Sequence, residues 1–279
     1  MKKYIPSFLL ILCSLSLLLS CKEDKATQPL NFGTERYDST ALHVALVPNR
    51  DCLPIYYAER TGIYDSLGLR LQIATYGSQM DCDTTLMGKI ADGGWCDNVR
   101  RRSYGKRMKH LTTMWEGTQR WEVFTNKALR IREASALTGH TVGTARSSAE
   151  NEYLQLYLKA SKVNTENVYF PQINDLRLRT QMLAGDQIDA AVITWPYTSW
   201  ARAEGHRCIG AQRFADKNGA FVRNEQHLSN AIRKSQWAIF EKGRRMALDS
   251  IRIKGPKAYS LILQKDYGLP KEVADTIRF

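Results

Sequence analysis

The 279-residue chain lacks the short motifs that announce common chemistries. Its five histidines (His43, His110, His140, His206 and His227) form no HExxH, and no serine stands in GxSxG. Gly-rich phosphate loops are missing too, so the signatures of zinc proteases, α/β-hydrolases and P-loop nucleotide enzymes are excluded. Without CxxC or clustered histidines there is no zinc spacing, and neither a metal nor a cofactor is expected. Beyond the amino terminus no apolar run reaches the length needed to cross a bilayer. Low-complexity tracts and hairpin signals are absent as well, which argues against linkers inside the body and against an antiparallel meander.

What is present begins with an export signal over residues 1–20. Lys2 and Lys3 form a basic start, and Phe8 to Leu19 is a twelve-residue apolar core, too short to span a membrane comfortably. Leu18-Leu19-Ser20-Cys21 reads as a bacterial lipobox with Cys21 as the lipidated residue; an ordinary cleaved signal is the alternative. Residues 21–40 are polar and aperiodic, a tether to a body that is large enough for two modest domains. Lys22-Glu23-Asp24 resembles surface-export signals, which leaves the membrane leaflet open. Loss of the signal removes two lysines and takes the formal charge from +12 to +10. The basic residues are dispersed apart from Arg100-Arg101-Arg102, so nucleic acid is not expected as a partner and the charge favours an anionic ligand. Cys52, Cys82, Cys96 and Cys208 remain in the mature body, an even number that permits disulfides in three pairings or free thiols.

The chain says one phrase twice. Leu86-Met87-Gly88-Lys89-Ile90-Ala91-Asp92-Gly93-Gly94 returns as Leu183-Ala184-Gly185-Asp186-Gln187-Ile188-Asp189-Ala190-Ala191. Each copy ends a helix on a glycine expected in the left-handed conformation, then opens a short buried strand. Strands are expected at Leu42–Val47, Leu69–Ile73, Leu111–Trp115, Trp121–Thr125, Val168–Phe170, Ile188–Ile193 and His206–Ile209. Helices are expected at Leu53–Arg60, Ser78–Gly88, 149–160, Asp175–Leu183, after Pro196, and over Ala231–Ile253. This alternation predicts an α/β fold of two similar lobes with mostly parallel sheets and a cleft between them. The first lobe is read as 41–125 plus 212–279 and the second as 126–211, with hinges near Thr125-Asn126 and Ala211-Gln212.

Pro54-Ile55-Tyr56-Tyr57-Ala58-Glu59-Arg60-Thr61-Gly62-Ile63-Tyr64, Thr138-Gly139-His140-Thr141-Val142-Gly143, and Gly185 to Asp189 followed by Trp195-Pro196-Tyr197 give the order of elements a familiar look. They resemble the solute-binding lipoproteins of ABC importers in the nitrate, sulfonate, taurine and thiamine-pyrimidine-precursor (NMT1/THI5-like) family. The resemblance runs from residue 41 to about 275 and implies a two-lobed, type II periplasmic-binding-protein-like fold. It departs at Trp195, where the family usually has Glu, and in an early stop at Phe279. It further implies a non-catalytic, monomeric protein, lipid-anchored to the membrane and facing the periplasm, with an ABC permease and its ATPase as partners. An enzyme on the same fold (of the pyrimidine-precursor or menaquinone-pathway type) and a ligand sensor without a permease are the alternatives.

Ligands of open α/β sheets bind beyond the carboxyl ends of the strands. The candidates there are Asn49, Arg50, Asp51, Ser78, Gln79, Asp97, Asn98 and Trp115 on the first lobe, and Arg146, Ser147, Ser148, Thr194 and Trp195 on the second. Tyr57 and Tyr197 lie close by. Arg146 beside the start of a helix that Ser147 or Ser148 caps suits a sulfonate, carboxylate or phosphate; Trp195 and Trp115 offer stacking walls, and the solute expected is a small anion (sulfonate, nitrate or carboxylate) or an aromatic of the pyrimidine type. Trp95 reads as core.

Overall fold

A computed structural model describes residues 38–213 and 217–279. The signal, Cys21 and the tether as far as residue 37 lie outside the described residues. The end of the expected tether belongs to the body: Asp38 pairs with Arg70 at 3.0 Å, and Arg233 donates to the Ser39 carbonyl at 3.0 Å.

Strand β1 (Leu42–Leu46) is buried at every residue, as an apolar run covered on both faces should be. Helix α1 (Leu53–Arg60) follows with Pro54 in its first turn, where the missing N–H costs nothing. A one-turn helix, α2 (Ile63–Ser66), follows beyond Gly62. Strand β2 (Leu71–Thr75) pairs parallel with β1; helix α3 (Gln79–Met87) then leads into β3 (Gly93–Asp97), also parallel to β1. Helix α4 (Asn98–Tyr104) and β4 (Leu111–Glu116) complete the first pass through this lobe.

The chain crosses over at residues 117–120, earlier than expected. Strand β5 (Trp121–Thr125), placed in the first lobe by sequence, pairs antiparallel with β7 (Ala190–Thr194) and β8 (Arg207–Ala211) of the second sheet. Its side chains decide this: Val123 packs into one core of the second lobe and Phe124 into the core on the opposite face. Between β5 and β7 lie β6 (Val142–Gly143), α5 (Ala149–Ala160) and α6 (Leu176–Ala184); α7 (Tyr197–Ala203) joins β7 to β8. The expected strand at Val168–Phe170 is reduced to isolated parallel bridges, Thr141 with Tyr169 and Thr144 with Gln172. Pro171 lies within that segment and has no N–H to give to a ladder.

After the return crossing, β9 (Gly219–Asn224) inserts antiparallel between β3 and β4. Sequence reading missed this strand, whose run opens on glycine and closes on Arg223-Asn224. The long α8 (Ala231–Lys254), then α9 (Ser260–Lys265) and α10 (Lys271–Ala274), pack back on the first lobe. Strand orders are β2-β1-β3-β9-β4 and β6-β7-β5-β8. In each sheet one strand runs against the rest, and it is the strand that arrives from the other lobe.

Both copies of the repeated phrase close their helices alike, one residue later than expected. Gly88 and Gly185 have φ of −74° and −92°, and the left-handed residues are Lys89 and Asp186. A six-residue closing bond follows in each, from Ile90 N–H to the Thr85 carbonyl and from Gln187 N–H to the Met182 carbonyl. All four described cysteines are free thiols. Cys52, Cys82 and Cys96 are buried together in the first core, where burial raises their pKa values well above the usual thiol range. Among the described residues no helix is long and apolar enough to cross a membrane.

Candidate functional site

The carboxyl ends of β1, β2 and β3 face those of β6 and β7 across the gap between the lobes, and a cavity of about 40 Å³ is held there. It has room for roughly two or three waters. The first lobe contributes Asn49, Gly77, Gln79, Trp95 and Asp97; the second contributes Ala145, Ser148, Ala149, Glu150, Asn174 and Tyr197. Gln119 reaches it from the first crossing and Trp121 from the start of β5; Asn218 reaches it from the second crossing and Gly219 from the start of β9. Two glycines are required by close approach. A Cβ on Gly219 would stand 2.6 Å from the Trp95 ring, and one on Gly77 would stand 2.1 Å from an Asp175 oxygen of the other lobe.

Asp97 organises the floor. Its Oδ1 accepts from Val99 N–H at 2.8 Å and Arg100 N–H at 3.1 Å, capping its own helix. Its Oδ2 reaches across the gap and accepts from Ala149 N–H at 2.8 Å, in the first turn of α5. The adjacent Asp83 is fully buried, accepts from Asp97 N–H at 3.1 Å and Gln79 Nε2 at 2.8 Å, and lies 3.7 Å from Arg100 Nε. Burial pushes Asp97 up to about 6 against the pull of its three N–H donors. Burial, and then the charge of Asp97, push Asp83 well above the ordinary carboxylate range. Arg100 spans the same gap, donating to the Arg146 carbonyl at 2.7 Å. Glu150 on the opposite wall is paired with the buried Arg179 at 2.7 Å.

No arginine, lysine or histidine lines the cavity among the described residues. An anion placed 4 Å from an ionised Asp97 would meet about 4 kcal/mol of repulsion at an effective dielectric near 20.

Residues 49–212, more than half of the chain, match the family described as NMT1/THI5 like. The chain belongs to the NMT1/THI5-like family. Its fold is that of solved binding proteins. The periplasmic aliphatic sulphonate-binding protein SsuA of Escherichia coli is 15% identical over 85% of this chain and 77% of its own, with a TM-score of 0.61. The alkanesulfonate-binding SsuA of Xanthomonas axonopodis pv. citri, bound to MOPS, is 13% identical over 86% and 83%, with a TM-score of 0.66. The periplasmic nitrate-binding protein NrtA of Synechocystis PCC 6803 is 12% identical over 84% and 68%, with a TM-score of 0.69. A search of curated proteins finds no match.

Within this NMT1/THI5-like chain the residues singled out from sequence separate into groups. Asn49, Gln79, Asp97, Ser148 and Tyr197 come together on the cavity. Arg50, Asp51, Trp115 and Trp195 line a different feature, an open groove of about 810 Å³ on the far side of the first crossing. There Trp115 is sandwiched between Phe221, at 4.3 Å between ring centres, and the Arg244 guanidinium at 4.2 Å. Asp51 accepts from Thr118 N–H at 2.9 Å and its hydroxyl at 2.7 Å, tying α1 to the crossing; burial raises its pKa.

The others are structural by position. Thr194 fixes the crossing by donating to the Arg120 carbonyl at 2.7 Å. Asn98 donates to the Lys217 carbonyl at 3.2 Å, Tyr57 is core, and Ser78 bridges to Asp175 of the second lobe. Arg146 and Ser147 are exposed and stand outside the cavity lining. Ser148 alone caps α5, accepting from Asn151 N–H. Trp95, read as core, is buried and is also cavity wall. Sequence reasoning missed Gln119, Trp121, Glu150, Asn174 and Asn218. A crossing placed before β5 would have drawn attention to the first two.

Proposed function

We propose that this chain is the solute-binding component of an ABC importer, tethered through a lipid on Cys21 and facing the periplasm. A small molecule is held between the lobes and released unchanged to a permease and its ATPase. One observation carries this reading: the cavity is walled jointly by both lobes and by both crossing segments. Occupancy is therefore coupled to the angle between the lobes, and a ligand that contacts both shifts the population towards the closed form. The family membership and the fold of the similar structures support it. Asp97 with Ala149, Arg100 with Arg146 and Ser78 with Asp175 are among the contacts spanning the gap that opening must break.

The test combines small-angle scattering with thermal melting of the purified protein across a panel of small solutes. A ligand should lower the radius of gyration, raise the melting temperature and be recovered intact. Recovery of a chemically altered compound would favour an enzyme. Copurification with a permease complex separates an importer component from a free-standing sensor, which would bring down no transporter.

A further inference from the structure

We propose that the cavity takes a small ammonium-bearing solute that also carries one hydrogen-bond acceptor, and that Asp97 is the residue that turns anions away. This rests on the solute-binding reading above and names its substrate class. Four observations lead to it. The anion-favouring first turn of α5 is already occupied, because Ala149 N–H donates to the Asp97 carboxylate at 2.8 Å. Charge on the walls is acidic alone, from Asp97 and Glu150. Glu150 has its own cation in Arg179, whereas the Arg100 side chain lies 3.7 Å from Asp83 and leaves Asp97 with backbone N–H donors alone in direct contact. An ammonium group would give that carboxylate a charged partner.

The fourth observation sets the acceptor. Asn49 is fully buried on the cavity wall; its Oδ1 accepts from Cys52 N–H at 2.9 Å, while its Nδ2 has no acceptor. A buried donor without a partner is costly, and a ligand oxygen would satisfy it. Trp95 and Trp121 supply aromatic surface, which favours an ammonium group over an anion.

The experiment is isothermal titration, with tryptophan fluorescence alongside, using ethanolammonium, ethylammonium and methylammonium chlorides against sodium nitrate and sodium methanesulfonate. The ammonium salts should bind and the sodium salts should not. Asp97→Asn should weaken ammonium binding by at least about tenfold, the scale of a lost charge-assisted hydrogen bond. Asn49→Ala should weaken ethanolammonium by about fivefold and leave ethylammonium, which has no acceptor, unchanged. Should Asp97→Asn fail to fold, the selectivity of the unaltered protein decides the matter. Binding of nitrate or methanesulfonate without the ammonium salts would overturn this inference and leave the solute-binding reading standing. Silence from every probe would count against both.

Discussion

The two lobes are built to one plan and armed differently. Strand by strand, β1, β3, β9 and β4 of the first correspond to β6, β7, β5 and β8 of the second. The aspartate of the repeated phrase does the same work in both. Asp92 accepts from His43 N–H at the start of β1, at 2.9 Å; Asp189 accepts from Thr141 N–H just before β6, at 2.8 Å. Both aspartates sit at the ends of the strands away from the cavity. At the cavity ends the likeness stops: the first lobe presents a buried carboxylate pair, and the second presents the first turn of a helix. Repetition marks what holds each lobe together, and the departure from it marks where they face each other across the cavity.

The largest expected effect comes from breaking the second lobe's buried ion pair. Arg179 is fully buried, donates to the Ile173 and Val192 carbonyls and pairs with Glu150. Arg179→Met should cost about 3–5 kcal/mol, because Glu150 is left charged and unpaired beside the cavity. Chemical denaturation measures this; a loss under about 1 kcal/mol would mean that Glu150 finds another partner. The first lobe has no equal. Its Arg100–Asp83 contact is longer, at 3.7 Å, and Arg100→Met should cost less than Arg179→Met.

Next comes pH. Burial holds Asp97 at about 6, above the ordinary carboxylate value of 3.8, so the folded protein binds that proton more tightly than the unfolded chain does. The contribution of Asp97 is therefore fully present below about pH 4 and is lost as the pH rises through 6. The loss is about 3 kcal/mol at most. Asp97→Asn should flatten the dependence of the melting temperature on pH between 4 and 7. An unchanged slope would show that another group titrates there.

Much of the shared plan was legible in the sequence, and the reason is physical. Buried strands and glycine-closed helices write themselves as local patterns, so β1, α1, α5 and the repeated phrase could be read within a residue or two. Sheet membership is a matter of partners distant in sequence. Nothing within Trp121–Thr125 says that its neighbours are Ala190–Thr194 and Arg207–Ala211. The site suffered for the same reason. Asp97 was visible as a residue at a strand end, but not that its carboxylate would reach Ala149 52 positions away and occupy the place assigned to an anion. Arg146 looked like the anion's partner because helix starts favour such contacts, and only tertiary contact shows its carbonyl accepting from Arg100 across the gap.

The paired aspartates give a smaller and directly comparative prediction. Asp92 has 5% side-chain exposure, whereas Asp189 has 31%. Burial pushes Asp92 up, but hydrogen bonds from His43 and His227 and the charge of Arg233 outweigh it and hold the group at about 2. Its contribution is present above pH 4 and is lost as the pH falls through 2. Asp189 is held low as well, with burial outweighed by the Thr141 amide and hydroxyl and by His140. Asp92→Asn should cost about 1.5–3 kcal/mol, and Asp189→Asn about 1 kcal/mol or less because water screens its partners. Equal losses would mean that the repeat carries equal weight in both lobes.

The smallest effect concerns the strand that the second lobe almost has. Residues 168–172 run beside β6 as β2 runs beside β1, with Val142 N–H donating to the Tyr169 carbonyl at 2.8 Å and Thr144 N–H to the Pro171 carbonyl at 3.3 Å. In a parallel ladder the residue two beyond an acceptor donates back. Here that residue is Pro171, which has nothing to donate. Pro171→Val would supply the N–H and a β-favouring side chain, but it would also free the unfolded chain, at a cost of about 0.4–1 kcal/mol. The two terms nearly cancel, so global stability should change by less than about 1 kcal/mol. Local protection should change more: the new amide at 171 should exchange slowly with solvent, as the central amides of β2 do. Fast exchange there would show that something besides proline keeps the fifth strand of this lobe from forming.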